Sequence, residues 1–387
     1  QLNLNSASVK TIPFEAFTVT QPAKTQAYNF EHIWRQTKEK LYDPGMNGAD
    51  WERLYTTYKR FLPHINNGYD FAEMASELLG ELNVSHTGCR YHAPSSSLPV
   101  AQLGIIPDET YQGEGIRVAE VLSGGPLDVC KVIKTGSIIT SIDGKKIEAC
   151  ADYYPMLAGK AGKATRLSIK GEKKEIVVRP ISWGKQEELL YKRWVRRNEH
   201  MVDSLSGGRL AYVHIEAMNA ASFHEFYKNL LSEKNRMRDA VIVDTRHNGG
   251  GWLHNDVCIA LSGKAYSRFT PRGKFIGNDP FDRWVKPSCM LVCEDNYSNA
   301  HGTPWLYKEM GIGKLIGAPV PGTMTAVWWE NIGQYTFGIP QVGTKDNRGN
   351  YLENQQLEPD IECYVTPEDM LRGVDTQIQA AVKELMK

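Results

Sequence analysis

Between Tyr28 and Leu82 the apolar side chains recur at the three- and four-residue spacing of helices with one buried face: Phe30, Ile33, Trp34 and Leu41, then Trp51, Leu54, Tyr55 and Tyr58, then Phe71, Met74, Leu78 and Leu82. Three amphipathic helices are predicted, separated by the turn formers Pro44-Gly45 and Asn66-Asn67-Gly68, with Asp70 placed to cap the third. From about Leu98 to Ile181 the texture changes to short alternating or β-branched runs split by glycines, as in Gly115–Val121, Ser137–Ile142, Arg166–Ile169 and Glu175–Val178. This predicts a small β-rich module with a short helix over Pro126–Val132 and a hairpin at Ile142–Gly144. A charged helical bridge spans Gln186 to Leu205. Beyond Gly208 strands alternate with helices: strand Arg209–Ile215, helix Ser222–Asn235, strand Ala240–Asp244, helix Trp252–Leu261, strand Ser288–Val292, helix Thr303–Met310. Such alternation implies an open parallel or mixed sheet, whose ligand sites lie at the carboxyl ends of its strands.

The predicted organisation is an α+β multidomain chain: a lead-in or linker over 1–27, a helical N-terminal subdomain over 28–97, a β-rich domain over 98–181, a helical linker over 182–206 and an α/β domain over 207–387. A length of 387 residues agrees with several cores rather than one small module. Lys+Arg and Asp+Glu are both 45, so net charge points to neither nucleic acid nor an acidic membrane face. No apolar run is long enough to span a bilayer, so no membrane insertion is expected. Seven scattered cysteines, an odd number, argue against a disulfide framework. The opening QLNLNSASVK lacks the basic and apolar regions of a signal peptide and reads as a mature form or part of a longer chain.

Two segments directly after apolar strands carry candidate chemistry. In Asp244–Gly251 three successive glycines let backbone approach a ligand, and the following helix start points N–H groups at a developing negative charge. The spacing fits neither a dinucleotide fingerprint nor a Walker A loop. In Glu294–Gly302, Ser298 sits at a strand-to-helix turn, where a serine is either a helix cap or an exposed nucleophile. His86, after the third predicted helix, and the polar turn Glu353–Asp360 carry no signal alone. Metal signals are weak: Cys289 and Cys293 read as core, and His247 and His254 flank the glycines without a matching carboxylate. No metal and no cofactor are expected.

The stretch GEGIRVAEVLSGGPLDVCKVIKTGSIITSIDGKKIE resembles a PDZ domain, which implies capture of an extended peptide on a sheet edge. Taken in order, ELNVSHTG, the PDZ-like insert, the glycine loop, SNAHGTPWLYKEMGIGKLIG and ENQQLEPD resemble the catalytic core of the tricorn and C-terminal processing peptidases, from about Tyr28 to the end. The resemblance implies a crotonase-like, ClpP-like α/β peptidase domain. It implies Ser298 as nucleophile and His86 as general base, with Ser85 and Glu353 completing a relay. The oxyanion hole would use the Asn299 amide with Gly250, or Gly251 as second choice. Asn299 and Ala300 stand where the family has Asp-Gly, and Thr323 stands at the position of the processing branch's lysine, so the histidine-based mechanism is the one implied. Activity would then rise with deprotonation of a group near about 6.5.

The expected function is hydrolysis of peptides or unfolded protein tails, with a homo-oligomer as a possible assembly and no nucleic-acid partner. The periplasm or cell envelope is placed ahead of the cytoplasm. Two alternatives stand beside this: a decayed, peptide-binding scaffold using the PDZ-like module, and a lipid- or retinoid-binding relative whose cleft Trp328, Trp329 and Tyr335 would line.

Overall fold

The structure is a computed structural model that describes residues 2–3, 8–9, 15, 21–95 and 97–387. The chain divides into two compact units, one of Gln1–Ala93 with Gly322–Gln355, the other of Pro94–Pro321 with Gln356–Lys387.

The first unit contains the three predicted helices, Pro22–Lys40, Trp51–Lys59 and Gly68–Gly80. The first starts earlier than its apolar spacing suggests, because Pro22 at its opening turn is preset for helical φ, so the end of the predicted lead-in is helical. The rest of that lead-in lies largely outside the described residues. The third helix is capped by Asn67, whose side chain accepts from the Asp70 amide at 2.9 Å; Asp70 is therefore a first-turn acid, not the cap. Phe30, Ile33, Phe71, Leu78 and Leu79 form a core that also takes in Phe337 and Ile339. Those two come from an antiparallel sheet of Thr325–Ile332, Tyr335–Gly343 and Gly88–Tyr91. The N-terminal body is thus not purely helical, and it includes residues 322–355, which the chain pattern assigns to the α/β domain. Local spacing cannot report a strand pairing made across more than 240 positions.

The second unit holds three cores. One belongs to the β-rich module, strands Ile105–Pro107, Ile116–Val121, Ile138–Ile142, Thr165–Ile169 and Ile176–Val178 around Leu103, Val118, Ile139 and Leu167. The predicted hairpin at Ile142–Gly144 is present, with Asp143 and Gly144 at φ of 49° and 77°, whereas Pro126–Cys130 forms turns rather than a helix. The helical bridge is one helix, Trp183–Ser206, tied to this module by the Arg193–Glu120 ion pair and by Gln186 Nε2 donating to the Ile105 carbonyl.

The other two cores sandwich a parallel five-stranded sheet, ordered Leu210–His214, Ala240–Asp244, Ser288–Val292, Lys314–Gly317, Ile361–Glu362. Ala240–Asp244 and Ser288–Val292 are buried at every position, as strands covered on both faces must be. They are neighbours, so the turns leaving their carboxyl ends meet. One turn carries the glycines and the other carries Ser298. Among the described residues no helix is long and apolar enough to cross a membrane.

Candidate active site

The seven site residues expected from sequence fall into two groups, one in each unit. Gly250, Gly251, Ser298 and Asn299 lie together in the second unit.

Ser298 ends the turn after Ser288–Val292 and immediately precedes helix Asn299–Glu309, four residues earlier than the predicted helix start. Its φ of 58° and ψ of −124° are far from the extended geometry of a capping serine, and its hydroxyl does not cap the helix. A non-glycine residue held at positive φ between a strand and a helix is the backbone of a nucleophile elbow. Surrounding bonds hold it there. Asn296 Oδ1 accepts from the Cys293 amide at 3.0 Å, and its Nδ2 donates to Thr245 Oγ1 and to the Ala300 carbonyl, both at 3.1 Å. The Ala300 carbonyl needs that side-chain partner because Pro304, four residues on, has no N–H.

The glycine loop is built against this elbow. The Tyr297 amide donates to the Asn248 carbonyl at 3.0 Å. Asn248 is fully buried; its Nδ2 donates to the Ile215 carbonyl and its Oδ1 accepts the Gly250 amide, each at 2.8 Å. Gly250 and Gly251 have φ of 97° and 138°, and a Cβ on Gly251 would lie 2.1 Å from the Met218 carbonyl oxygen. Met218 bonds to the Gly250 carbonyl and the Trp252 amide, which turns Gly251's own N–H away from Met218. The Asn299 amide is at the first position of its helix, where N–H groups lack intrahelical partners. The Asn299 side chain faces away from that role: buried, it accepts the Leu253 and His254 amides at 2.7 and 2.9 Å and so caps helix His254–Leu261.

Beneath the loop, Arg246 clamps both oxygens of the wholly buried Asp244 and reaches Asp375 and Gln377, while the Tyr212 hydroxyl donates to Asp244. Burial alone would raise the Asp244 carboxyl, but Arg246 holds it below its ordinary value.

Ser85, His86 and Glu353 lie together in the first unit. His86 has a left-handed φ of 64° and its carbonyl packs on Gly338, where a Cβ would come within 2.3 Å. Its Nδ1 is 2.7 Å from Ser85 Oγ and 3.1 Å from Thr325 Oγ1. Glu353 accepts the Ser85 amide at 2.6 Å and the Ser85 hydroxyl at 3.0 Å. With the hydroxyl proton committed to Glu353, Ser85 Oγ must accept from His86, which puts the ring proton on Nδ1 and the lone pair on Nε2. Asn354 holds this turn in place, donating through Nδ2 to the Asn83 carbonyl at 2.9 Å. Burial pushes the His86 imidazole down to about 4, below the value near 6.5 expected from sequence, and raises the Glu353 carboxyl.

Sequence reasoning missed Thr325, Asn248 and the capping side chain of Asn299. Only the strand propensity around Thr325 was visible, and nothing in it marks a histidine contact. Glu353 and Asp360, read as one turn, do separate work: Asp360 Oδ2 accepts the Leu315 amide at 2.8 Å at the sheet edge. Trp328, Trp329 and Tyr335 belong to the first unit's sheet, where Tyr335 is core and the tryptophans are exposed. Among the described residues, one mixed histidine, cysteine and aspartate cluster, His247, Cys293 and Asp295, could hold a metal ion.

Comparison with known proteins gives three family matches in chain order. Residues 22–80 match the tricorn protease C1 domain, 110–182 the tricorn protease PDZ domain and 209–363 peptidase family S41. The tricorn protease of Thermoplasma acidophilum is 24% identical over 374 residues, covering 92% of this chain and 34% of that protein. Tricorn protease homolog 1 of Streptomyces coelicolor is 25% identical over 380 residues, covering 94% of this chain and 35% of that protein. The chain therefore spans about a third of the length of these curated relatives. The crystal structure of the tricorn protease superposes with a TM-score of 0.85 at 23% identity, over 96% of this chain and 38% of that one, which shows a shared fold.

Proposed function

From its membership of the tricorn-like branch of peptidase family S41, with C1, PDZ and S41 domains in one chain, we propose that this protein is a serine peptidase that hydrolyses peptides or unfolded protein tails, using Ser298 as nucleophile. The observation that carries the reading is the elbow: Ser298 at positive φ, not capping its helix, with Gly250 packed against it.

In this mechanism His86 Nε2 takes the Ser298 hydroxyl proton as Oγ attacks the scissile carbonyl carbon. The new C–O bond displaces the carbonyl electron pair onto oxygen, and the oxyanion is held by the Asn299 amide and a glycine-loop amide. Gly250 is the nearer glycine, but its amide would exchange Asn248 Oδ1 for the oxyanion, whereas the Gly251 amide faces away from Met218. Collapse breaks the C–N bond, with His86 returning its proton to the leaving amine. Water, deprotonated by the same imidazole, then hydrolyses the acyl-enzyme and regenerates Ser298. Ser85 and Glu353 orient the ring through Nδ1 and stabilise the imidazolium that forms in each half.

Thr323 in place of the processing branch's lysine supports the histidine as base. The PDZ domain supports extended peptide segments as substrates, held by strand addition. Self-assembly into a homo-oligomer belongs to the same proposal, as an expectation of the sequence resemblance.

The test is labelling with a fluorophosphonate probe, the modified peptide located by mass spectrometry. Label on Ser298 that disappears in His86→Ala is expected. Unchanged peptide hydrolysis by Ser298→Ala would overturn the nucleophile assignment.

A further inference from the structure

Behind the glycine loop, the second unit carries a cavity of about 410 Å³ whose wall includes Trp194, Arg246, His247, Cys293, Glu294 and Asp295. Its polar end is a three-residue cluster from the same two turns that carry the glycines and Ser298. His247 Nδ1 lies 2.9 Å from Asp295 Oδ2 and 3.9 Å from Cys293 Sγ, and the three ligand atoms all fall within 4.8 Å of one another. Zinc bonds of about 2.0–2.3 Å to N, O and S in a tetrahedral arrangement place ligand atoms about 3.3–3.7 Å apart, so small side-chain movements suffice.

We propose that His247, Cys293 and Asp295 form an exchangeable site for a borderline-soft divalent cation, Zn²⁺ above all. One imidazole, one sulfur and one carboxylate are the ligand chemistry that cation takes, and three protein ligands beside a cavity leave a fourth position for water. The site is supported from around it. The His247 amide donates to Cys293 Sγ at 3.3 Å, which holds the sulfur toward the His247 turn. Trp194 meets the His247 ring edge to face at 5.9 Å and restricts its rotation. The neighbouring positive charge of Arg246 is matched by Asp244 and Asp375, while Glu294 adds a further carboxylate to the wall.

Binding exchanges protons for the metal. The thiol proton, directed at Asn296 Oδ1 at 3.4 Å, passes to solvent as the Cys293 sulfur–metal bond forms, and His247 binds through Nδ1 as a neutral imidazole whose single ring proton sits on Nε2. A bound cation would tie the exit of strand Ala240–Asp244 to that of Ser288–Val292. The proposal is independent of the peptidase reading, since it concerns binding alone.

The experiment titrates the whole, metal-stripped protein with Co²⁺ and follows the thiolate-to-cobalt charge-transfer absorption, then displaces Co²⁺ with Zn²⁺. One equivalent giving the band is expected, with at least tenfold weaker binding in His247→Ala and in Asp295→Ala. These side chains are exposed, 56% and 65%, so both variants leave the core intact. Cys293→Ser should abolish the band. Absence of the band in the wild-type protein, or a band of unchanged affinity in His247→Ala and Asp295→Ala, would overturn the site.

Discussion

Gly250 lies so close to Ser298 that a Cβ built on the glycine would stand 2.6 Å from the serine Cβ and 2.7 Å from the Tyr297 carbonyl oxygen. Backbone and serine cannot yield without displacing the elbow. Gly250→Ala is therefore expected to lower kcat by about 10²–10³, the scale of a lost oxyanion donor, while the fold survives. Peptide hydrolysis beside a thermal melt checks this; an active Gly250→Ala variant would remove the loop from the mechanism.

His86 is buried, and burial disfavours the imidazolium, pushing its pKa down to about 4. In the proposed mechanism His86 must be neutral to accept the serine proton, so a lowered pKa would extend activity toward acid. The ascending limb of kcat/KM should fall well below the ordinary histidine value of about 6.5. A pH–rate profile from 3.5 to 8 (roughly the range that spans both values) tests this. A midpoint at 6.5 or above would mean the Glu353 relay outweighs burial.

Glu353→Gln keeps the volume but removes the carboxylate that accepts both the Ser85 amide and hydroxyl. Loss of charge behind the ring should reduce kcat by about 10–10³ with little change in KM, because in the proposed mechanism Glu353 acts on the imidazolium rather than on substrate. Ser85→Ala should fall in the same range, and the double variant should be no worse than the poorer single one. Additive losses would separate the two residues into independent roles.

Asn299 caps a neighbouring helix rather than contacting the reaction through its side chain. Asn299→Ala leaves two half-buried amides without their side-chain acceptor, an expected destabilisation of about 1–2 kcal/mol by denaturant unfolding. Asn299→Asp retains both acceptor bonds at a helix N-terminus but loses the Nδ2 donation to His254, so its stability should lie between that of Asn299→Ala and the parent. A neutral Asn299→Ala would show the cap to be dispensable.

His301 is buried in helix Asn299–Glu309 with Nδ1 unpartnered, and burial lowers its pKa to about 4. Below about 6.5 the unfolded chain binds a proton that the folded one refuses, so stability falls as pH drops from 6.5 toward 4 and is fully present above 6.5. At pH 5 the cost is at most about 2 kcal/mol. His301→Leu should raise the melting temperature at pH 5 more than at pH 8, and an equal change at both would exclude the titration.

Much of the candidate site was legible because its chemistry lies in short contiguous segments. The glycine run and the Ser298 turn each follow an apolar strand visible in the sequence, whereas Ser85, His86 and Glu353 carry no signal alone and were picked out only by the resemblance of their motifs to the tricorn and processing peptidases. Thr325 was not legible. It is an ordinary strand residue whose hydroxyl matters only because the Gly88–Tyr91 and Tyr335–Gly343 pairing turns its strand toward Ser85 and His86. Asp295 was equally hidden. His247 was dismissed as a ligand for want of a carboxylate, and the carboxylate arrives from a turn 48 positions away.

The period of apolar residues was enough to establish the three N-terminal helices, the β-rich module and an open sheet, parallel or mixed, since backbone preference and one-sided burial act over a few neighbours. It also placed the glycines and Ser298 at strand exits. Strand order had to be formed before those exits became neighbours. The same holds for the positive φ of Ser298, which the surrounding hydrogen bonds impose against its intrinsic preference, and for the contact between Ser85 and Glu353, 268 positions apart. Contacts between distant segments depend on loop closure and packing across the whole chain, which no local window of residues encodes.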